Sequence, residues 1–256
     1  MGVSTSELRD FLNQKVIQYN KPEFVTSDPI RVPKKFSKLQ DIEIAAFFAA
    51  TIAWGNRTSI IKNAENLMER MGNNPYDFVL NASDKDLESL RGFVHRTFNE
   101  VDALFFVKAL RGIYTKHQSL ENLFLPTVSE VNLHEGICRF RKVFFDTPYP
   151  PRTSKHVSNP QKGSAAKRLH MFLRWMVRRD KNGVDFGLWK NIDPALLSCP
   201  LDIHSGNVAR KLGLLKRKQN DLKALIELDN QLRKLDPQDP VKYDFALFGL
   251  GVFEKF

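Results

Sequence analysis

Two residues in the second half of the chain have side chains and positions suited to chemistry. Lys167 follows the short loop Lys162-Gly-Ser-Ala-Ala and is predicted in the first turn of a helix that runs to about Arg179, with Ser164 as its N-cap. A cation is unfavourable at that end of a helix, and the same field favours the neutral amine that a nucleophile needs. The residues alone fit equally a solvated lysine at a fraying helix end.

The second candidate is Asp202, which lies in the run Cys199-Pro-Leu-Asp-Ile-His. Its position predicts an N-cap for a helix over 203–212, with Gly213 after the helix, and its simplest role is that cap alone. Cys199, Asp202 and His204 are too few and too closely spaced for a strong metal motif, and the two cysteines form no C-x-x-C pair. We therefore predict neither a metal nor a cofactor.

Helical periodicity dominates the remaining sequence, so we predict an all-α fold. A helix over 42–54 is apolar on nearly every side and should be the buried centre, with Asp41 as its cap and Gly55 at its end. A last helix over 241–250 is predicted to begin with Pro240 at N1 and Asp239 as cap, and Asp244 within it is a candidate pocket-lining residue. Further helices are predicted around 8–16, 60–68, 101–113 and 137–145, and loops over 21–38 and 147–163.

Charge is concentrated in one part of the chain. The net charge is +10, and the segment from Arg152 to Lys218 holds 15 Lys and Arg residues against 4 Asp and no Glu. Such a segment attracts polyanions, because each neutralised phosphate releases condensed counterions. A basic surface that only aids solubility and an anionic membrane surface are the alternatives, although a membrane anchor also needs an exposed apolar face.

The predicted helix after Lys167 places its charges on one side. Its apolar residues share a core face, and Arg174 and Arg178 fall within about 20° of Lys167 on the opposite face. We therefore predict a solvent-facing basic stripe of Lys167, Arg174 and Arg178. Free backbone amides of the preceding loop should bind phosphate as well. The candidate DNA-contacting residues are Lys162, Gly163, Ser164, Arg168, Arg174, Arg178 and His204.

The order of lysine, helix, loop, Pro-Leu-Asp-Ile-His and helix resembles the helix-hairpin-helix DNA glycosylases. The spacing from Lys167 to Asp202 is similar to that of the archaeal 8-oxoguanine glycosylase type. Gly-Ser-Ala-Ala-Lys-Arg-Leu-His-Met-Phe-Leu-Arg-Trp-Met, Pro-Leu-Asp and Asp-Pro-Val-Lys-Tyr-Asp-Phe-Ala-Leu also resemble an uncharacterised bacterial family related to that superfamily. One departure matters: Asn159-Pro-Gln-Lys-Gly-Ser replaces the Leu-Pro-Gly-Val-Gly hairpin that presents amides to phosphate.

The resemblance implies a single glycosylase-like unit over 1–256. Its lobes would cover approximately 38–150 and 151–256, with a cleft between them and an N-terminal helix over 5–20 packed on either lobe. It implies base excision with AP lyase activity, in which Lys167 attacks the sugar and Asp202 stabilises its positive charge. The implied substrate is double-stranded DNA with a damaged base such as 8-oxoguanine, flipped into a pocket. Candidate pocket residues are Trp54, Asn56, Arg57 and Trp175, with Trp189 as a further aromatic.

Other functions remain open at this stage. A non-catalytic DNA-binding protein on the same fold would need only the basic segment. A metal-dependent nuclease or hydrolase would need a carboxylate or histidine cluster that the sequence lacks. A protein-interaction scaffold would bind DNA weakly and without salt dependence. We expect a cytoplasmic monomer, associated with the bacterial nucleoid when bound to DNA, without a membrane partner or an apolar leader in Met1–Arg9.

Overall fold

The computed structural model describes residues 4–256, and over that range the chain is predominantly helical. The sheet in this part of the chain is one antiparallel hairpin of β1 (Val94–His95) and β2 (Phe98–Asn99). The predicted all-α class is therefore confirmed. Within residues 4–256, no helix is both long and apolar enough to cross a membrane. The first three residues of the stretch predicted to lack a leader lie outside the described range.

The α-helices of the described chain are numbered in order of sequence. They are α1 (Thr5–Tyr19), α2 (Pro22–Thr26), α3 (Leu39–Thr51), α4 (Arg57–Arg70), α5 (Pro75–Asn81), α6 (Asp84–Leu87), α7 (Glu100–Tyr114), α8 (Glu121–Phe124), α9 (His134–Phe144), α10 (Lys167–Val177), α11 (Ile203–Lys211), α12 (Leu222–Leu235) and α13 (Tyr243–Val252). Short 3₁₀ turns lie between them at Pro29–Arg31, Pro33–Lys35, Glu88–Leu90, Pro151–His156, Pro160–Lys162, Pro194–Leu196 and Pro240–Lys242.

The chain divides into two compact units. Unit 1 comprises Met1–Phe24, Pro126–His134 and Asn159–Phe256, and unit 2 comprises Val25–Leu125 and Glu135–Ser158. Each unit therefore combines segments that are distant in sequence. The predicted loop over 147–163 contains two 3₁₀ turns and the last boundary between the units, and the predicted loop over 21–38 contains α2 and two further 3₁₀ turns.

Unit 2 is built around α3, which is buried along its length from Asp41 to Thr51, as its apolar sequence predicts. The Phe47 ring stacks on Phe106 at a centroid distance of 5.4 Å, within a larger group of phenylalanine rings. The predicted ends of this helix were wrong. Asp41 lies inside it and accepts a hydrogen bond from the Tyr76 amide (2.8 Å), and the helix ends at Thr51, so Gly55 lies beyond its C-terminus.

Unit 1 packs α1 and α11 against α13 around an aliphatic core. The close approach of α1 to α13 requires Gly249, because a Cβ there would lie 2.2 Å from the Tyr19 ring. The predicted start of the last helix was wrong. Pro240 begins a 3₁₀ turn, α13 begins at Tyr243, and the Asp239 side chain makes no capping hydrogen bond.

Candidate functional site

Lys167 is the first residue of α10 in unit 1, as predicted, and its side chain is half-buried. The residue before it, Ala166, has left-handed backbone angles (φ 43°, ψ 38°), which cost an alanine roughly 1 kcal/mol. The Ser164 hydroxyl accepts a hydrogen bond from the Ala166 amide (3.1 Å), so Ser164 is not the predicted N-cap. The Lys167 Nζ lies 3.6 Å from the sulfur of Met171, one turn further along.

Asp202 caps α11, as predicted. Its Oδ1 accepts hydrogen bonds from the Ser205 amide (2.9 Å) and the Ser205 hydroxyl (3.1 Å), and the Asp202 amide donates back to that hydroxyl (2.9 Å). Gly213 follows the C-cap Leu212 with a φ of 74°, which also agrees with the prediction. The second oxygen, Oδ2, makes no hydrogen bond or ion pair within residues 4–256. The cap therefore leaves one carboxylate oxygen available.

A second aspartate, Asp244 on α13, connects the two candidates. Its carboxyl group is buried and pairs with the guanidinium of Arg174. Burial raises the pKa of Asp244 to about 6; the charges of Arg174 and Lys167 oppose that rise, and the charge of Asp202 adds to it. The charges of Lys167 and Asp202 therefore both influence the pKa of one buried carboxyl group. The sequence signal for Asp244 is a charged residue within an otherwise apolar helix.

Cys199 packs against the buried carboxyl group of Asp244. Its sulfur is 3.8 Å from Asp244 Oδ1, and the residue is fully buried. Burial, followed by the negative charges of Asp244 and Asp229, raises the pKa of the Cys199 thiol well above its usual value. Because a protonated thiol is a weak nucleophile, Cys199 is a poor candidate for the nucleophile of this site.

The predicted solvent-facing stripe of Lys167, Arg174 and Arg178 was wrong, because both arginines are buried. Arg174 pairs with Asp185 (3.2 Å) and Asp244. Arg178 pairs with Asp185 (3.0 Å), Asp239 (2.9 Å) and Asp180. These guanidinium groups are already saturated by carboxylates, so neither is available to a phosphate.

The other predicted DNA contacts have different surroundings. Lys162 and Gly163 are exposed in the loop before α10, and His204 is exposed on α11. Arg168 is half-buried, and burial lowers its pKa to about 10. The expected free amides of this loop are not free: Gly163 donates to the carbonyl of Pro160 (2.8 Å), and Ser164 donates to that of Asn159 (3.4 Å).

The aromatic candidates divide between the units. Trp175 and Trp189 are fully buried, so the prediction of Trp175 as a base platform was wrong. Trp54 belongs to unit 2, is partly exposed, and stacks on His156 at a centroid distance of 5.8 Å.

Asn56 and Arg57, the remaining base-pocket candidates, also lie in unit 2. Asn56 is the N-cap of α4 and accepts a hydrogen bond from the Ser59 amide (3.1 Å), and Arg57 is the first residue of that helix. Among residues 4–256, no three or more histidines, cysteines, aspartates or glutamates form a group that could hold a metal ion.

A family model described as "Protein of unknown function (DUF2400)" matches residues 28–253. The chain belongs to the DUF2400 family. The match includes Lys167, Asp202 and Asp244, and it leaves α1 outside. No curated protein and no solved structure matches the chain significantly. The family description states no activity.

Proposed function

We propose that this DUF2400 protein is a base-excision DNA glycosylase with AP lyase activity, built on a helix-hairpin-helix glycosylase fold. Lys167 is its nucleophile, and Asp202 stabilises the positive charge that develops on the sugar. The observation that carries the proposal is that a half-buried lysine at the start of α10 and a helix-capping aspartate lie in the same compact unit. The charges of both residues also influence the pKa of the buried Asp244 carboxyl group. Asp202 also keeps Oδ2 free while its other oxygen caps the helix.

The first reaction replaces the bond between base and sugar. The neutral amine of Lys167 attacks C1′ of a nucleotide that has been flipped out of the duplex. The C1′–N bond breaks, and the base leaves with the bonding electron pair and takes up a proton. Asp202 is half-buried, and the negative charge of its carboxylate stabilises the positive charge of the oxocarbenium-like sugar through Oδ2. The same oxygen is the proposed acceptor of the proton that the attacking amine loses.

The second reaction cleaves the strand. The lone pair of Lys167 Nζ then forms a double bond to C1′ while the C1′–O4′ bond breaks. O4′ leaves with that bonding pair and takes up a proton, which opens the sugar ring and gives a protonated Schiff base. Loss of a 2′ proton then drives β-elimination, in which the C3′–O3′ bond breaks and the phosphate leaves. The iminium nitrogen is the electron sink, so no external oxidant or reductant is required.

A strand-nicking assay tests this proposal. End-labelled duplexes that carry 8-oxoguanine, uracil, an alkylated base or an abasic site are incubated with the wild type, Lys167→Ala and Lys181→Ala. Lys181 is an exposed lysine of unit 1 and provides a charge-matched control. We expect the wild type and Lys181→Ala to nick at least one lesion, and Lys167→Ala to nick none. Equal nicking by all three proteins would reject Lys167 as the nucleophile.

One observation favours a second candidate, a DNA-binding protein of this family without turnover. Within residues 4–256 the hydrogen-bond partner of Lys167 Nζ is the thioether of Met171, and Asp202 is already engaged as a helix cap. This alternative predicts salt-dependent binding to duplex DNA with no nick and no covalent adduct on any lesion. The nicking assay, run beside a binding titration, separates the two candidates.

A further inference from the structure

Two basic loops of unit 1 are joined by backbone pairing. Ser164, in the loop before α10, forms an antiparallel bridge with Asp221, in the loop between α11 and α12. The amide of Leu222 donates to the carbonyl of Gly163 at 2.9 Å. The loop that leads into Lys167 therefore lies directly beside the loop that follows α11.

The second loop also contacts the cap of α11. The Asn220 side-chain amide donates to the carbonyl of Asp202 (2.8 Å), and its oxygen accepts from Arg210 (2.6 Å). Gly206 permits this approach, because a Cβ at that position would lie 2.8 Å from Asn220 Oδ1. The two loops thus meet at the residues that carry the proposed chemistry, Lys167 and Asp202.

Side chains of α11 and α12 hold the backbone of the second loop through hydrogen bonds. Arg210 Nε donates to the carbonyl of Arg217 (2.8 Å), and Glu227 accepts from the amide of Lys216 (2.6 Å). The Arg217 guanidinium pairs with Asp221 through two contacts, one of them Nε to Oδ1 at 2.7 Å. Arg210 and Arg217 are therefore structural, and the nearby carboxylates of Asp221 and Glu227 are already occupied.

Four lysines in or beside these two loops have ammonium groups that are available to a ligand. Each is exposed, and none has a side-chain hydrogen bond or ion pair in the part of the chain that the structure describes. We call them the lysine surface: Lys162, Lys216, Lys218 and Lys223. Over 210–223 the sequence has six lysines and arginines against one aspartate, so this surface carries a positive potential.

We propose that the lysine surface binds the phosphodiester backbone of the nucleic acid whose nucleotide is held at Lys167 and Asp202. This inference rests on the proposed function, since it identifies the partner contact of the same site. It replaces the two routes to phosphate that the sequence suggested. The arginines of α10 are saturated by carboxylates, and the loop amides of Gly163 and Ser164 donate within the loop. The exposed lysines remain for that role.

Salt-dependent binding tests the inference. Anisotropy titrations use a duplex of about 30 base pairs with a tetrahydrofuran abasic analogue, between about 50 and 300 mM KCl. The test variant is Lys162→Gln/Lys216→Gln/Lys218→Gln. Its charge-matched control is Lys62→Gln/Lys85→Gln/Lys108→Gln, three exposed lysines of unit 2. We expect the magnitude of the negative slope of log K against log [KCl] to decrease by about 2 to 3 in the test variant, because each phosphate that a lysine neutralises contributes about −0.9 to that slope.

The outcomes separate this inference from the proposed function. An unchanged slope in the test variant overturns the inference, even if the wild type nicks lesions through Lys167. A reduced slope magnitude without any nick supports the lysine surface and rejects the lyase chemistry at Lys167. Absence of duplex binding by the wild type overturns both. Binding to phosphatidylserine vesicles that depends on the three lysines, without an effect on the duplex slope, assigns the surface to membranes and also overturns the inference.

Discussion

At the scale of single residues, Asp202 uses one oxygen as a helix cap and has the other available for the role that we propose. Oδ1 holds the first turn of α11 through Ser205, and Oδ2 faces no protein donor within residues 4–256. Structural and catalytic roles are often treated as alternatives for such a residue. Here the hydrogen-bond geometry makes them compatible, because a capping carboxylate needs only one of its oxygens.

Substitution separates the capping role of Asp202 from its proposed catalytic role. Asparagine caps a helix about as well as aspartate, so Asp202→Asn should keep the wild-type free energy of unfolding within about 0.5 kcal/mol. The loss of charge should slow base excision by about 100-fold or more. Asp202→Ala should lose the same activity and, in addition, about 1 kcal/mol of stability in urea unfolding. If Asp202→Asn excises bases at the wild-type rate, the carboxylate has no electrostatic role.

A pair of buried histidines in unit 1 predicts a dependence of stability on pH. The rings of His134 and His170 lie 5.4 Å apart, and three of their ring nitrogens have no hydrogen-bond partner within residues 4–256. Burial, with a smaller effect of Arg233, lowers the pKa of His134 to about 4, and burial lowers the pKa of His170 well below its usual value. In the unfolded chain both rings bind protons below about pH 6.5. Stability contributed by the neutral rings is therefore lost as the pH falls from 6.5 towards 4.

The matching experiment compares unfolding free energies at about pH 7.5 and about pH 5. Asp244 and Asp229, whose pKa values burial raises to about 6, favour the folded state as the pH falls through the same window and oppose the histidines. The difference in acid-induced loss of stability between a variant and the wild type gives the contribution of the histidine ring that the variant lacks. His134→Phe and His170→Phe should each reduce the acid-induced loss by about 2 kcal/mol. An acid-induced loss equal to that of the wild type would show that the rings become protonated in the folded protein.

At the scale of elements, α10 shows the limit of a helical wheel. The wheel placed Arg174 and Arg178 opposite the apolar face, and it predicted that direction as solvent. Both arginines are instead buried against the carboxylates of Asp185, Asp239 and Asp244. These aspartates lie up to 70 residues away in the sequence. A wheel gives the direction of a side chain around its own axis, but it does not show what packs there.

The buried arginine network yields a stability prediction. Removal of one partner from a buried ion pair leaves an uncompensated charge and costs about 3 to 5 kcal/mol. Arg174→Ala removes the ion-pair partner of Asp244 and leaves Asp185 with Arg178 alone, so it should lower the free energy of unfolding by that amount. Lys181→Ala, at an exposed lysine nearby in sequence, should change it by less than about 0.5 kcal/mol. Equal stability of the two variants in urea would contradict the network.

At the scale of the whole molecule, long periodic helices and the positions of Lys167 and Asp202 were predictable from the sequence. Those features depend on local rules of periodicity and capping, and α4, α7, α9 and α11 follow them. The division into units was harder, because residues 126–134 belong to unit 1 while the segments on either side belong to unit 2. The bridge between Ser164 and Asp221 is likewise a long-range pairing without a sequence signature.

The most direct test of the central claim is to identify the residue that carries the covalent intermediate. The wild-type protein is incubated with a lesion-bearing duplex and sodium borohydride, the complex is digested, and the cross-linked peptide is sequenced by mass spectrometry. We predict that the reduced sugar adduct is on Lys167 Nζ, in the peptide from the start of α10. An adduct on another lysine, or no adduct with any lesion while the duplex still binds, would contradict the proposed chemistry.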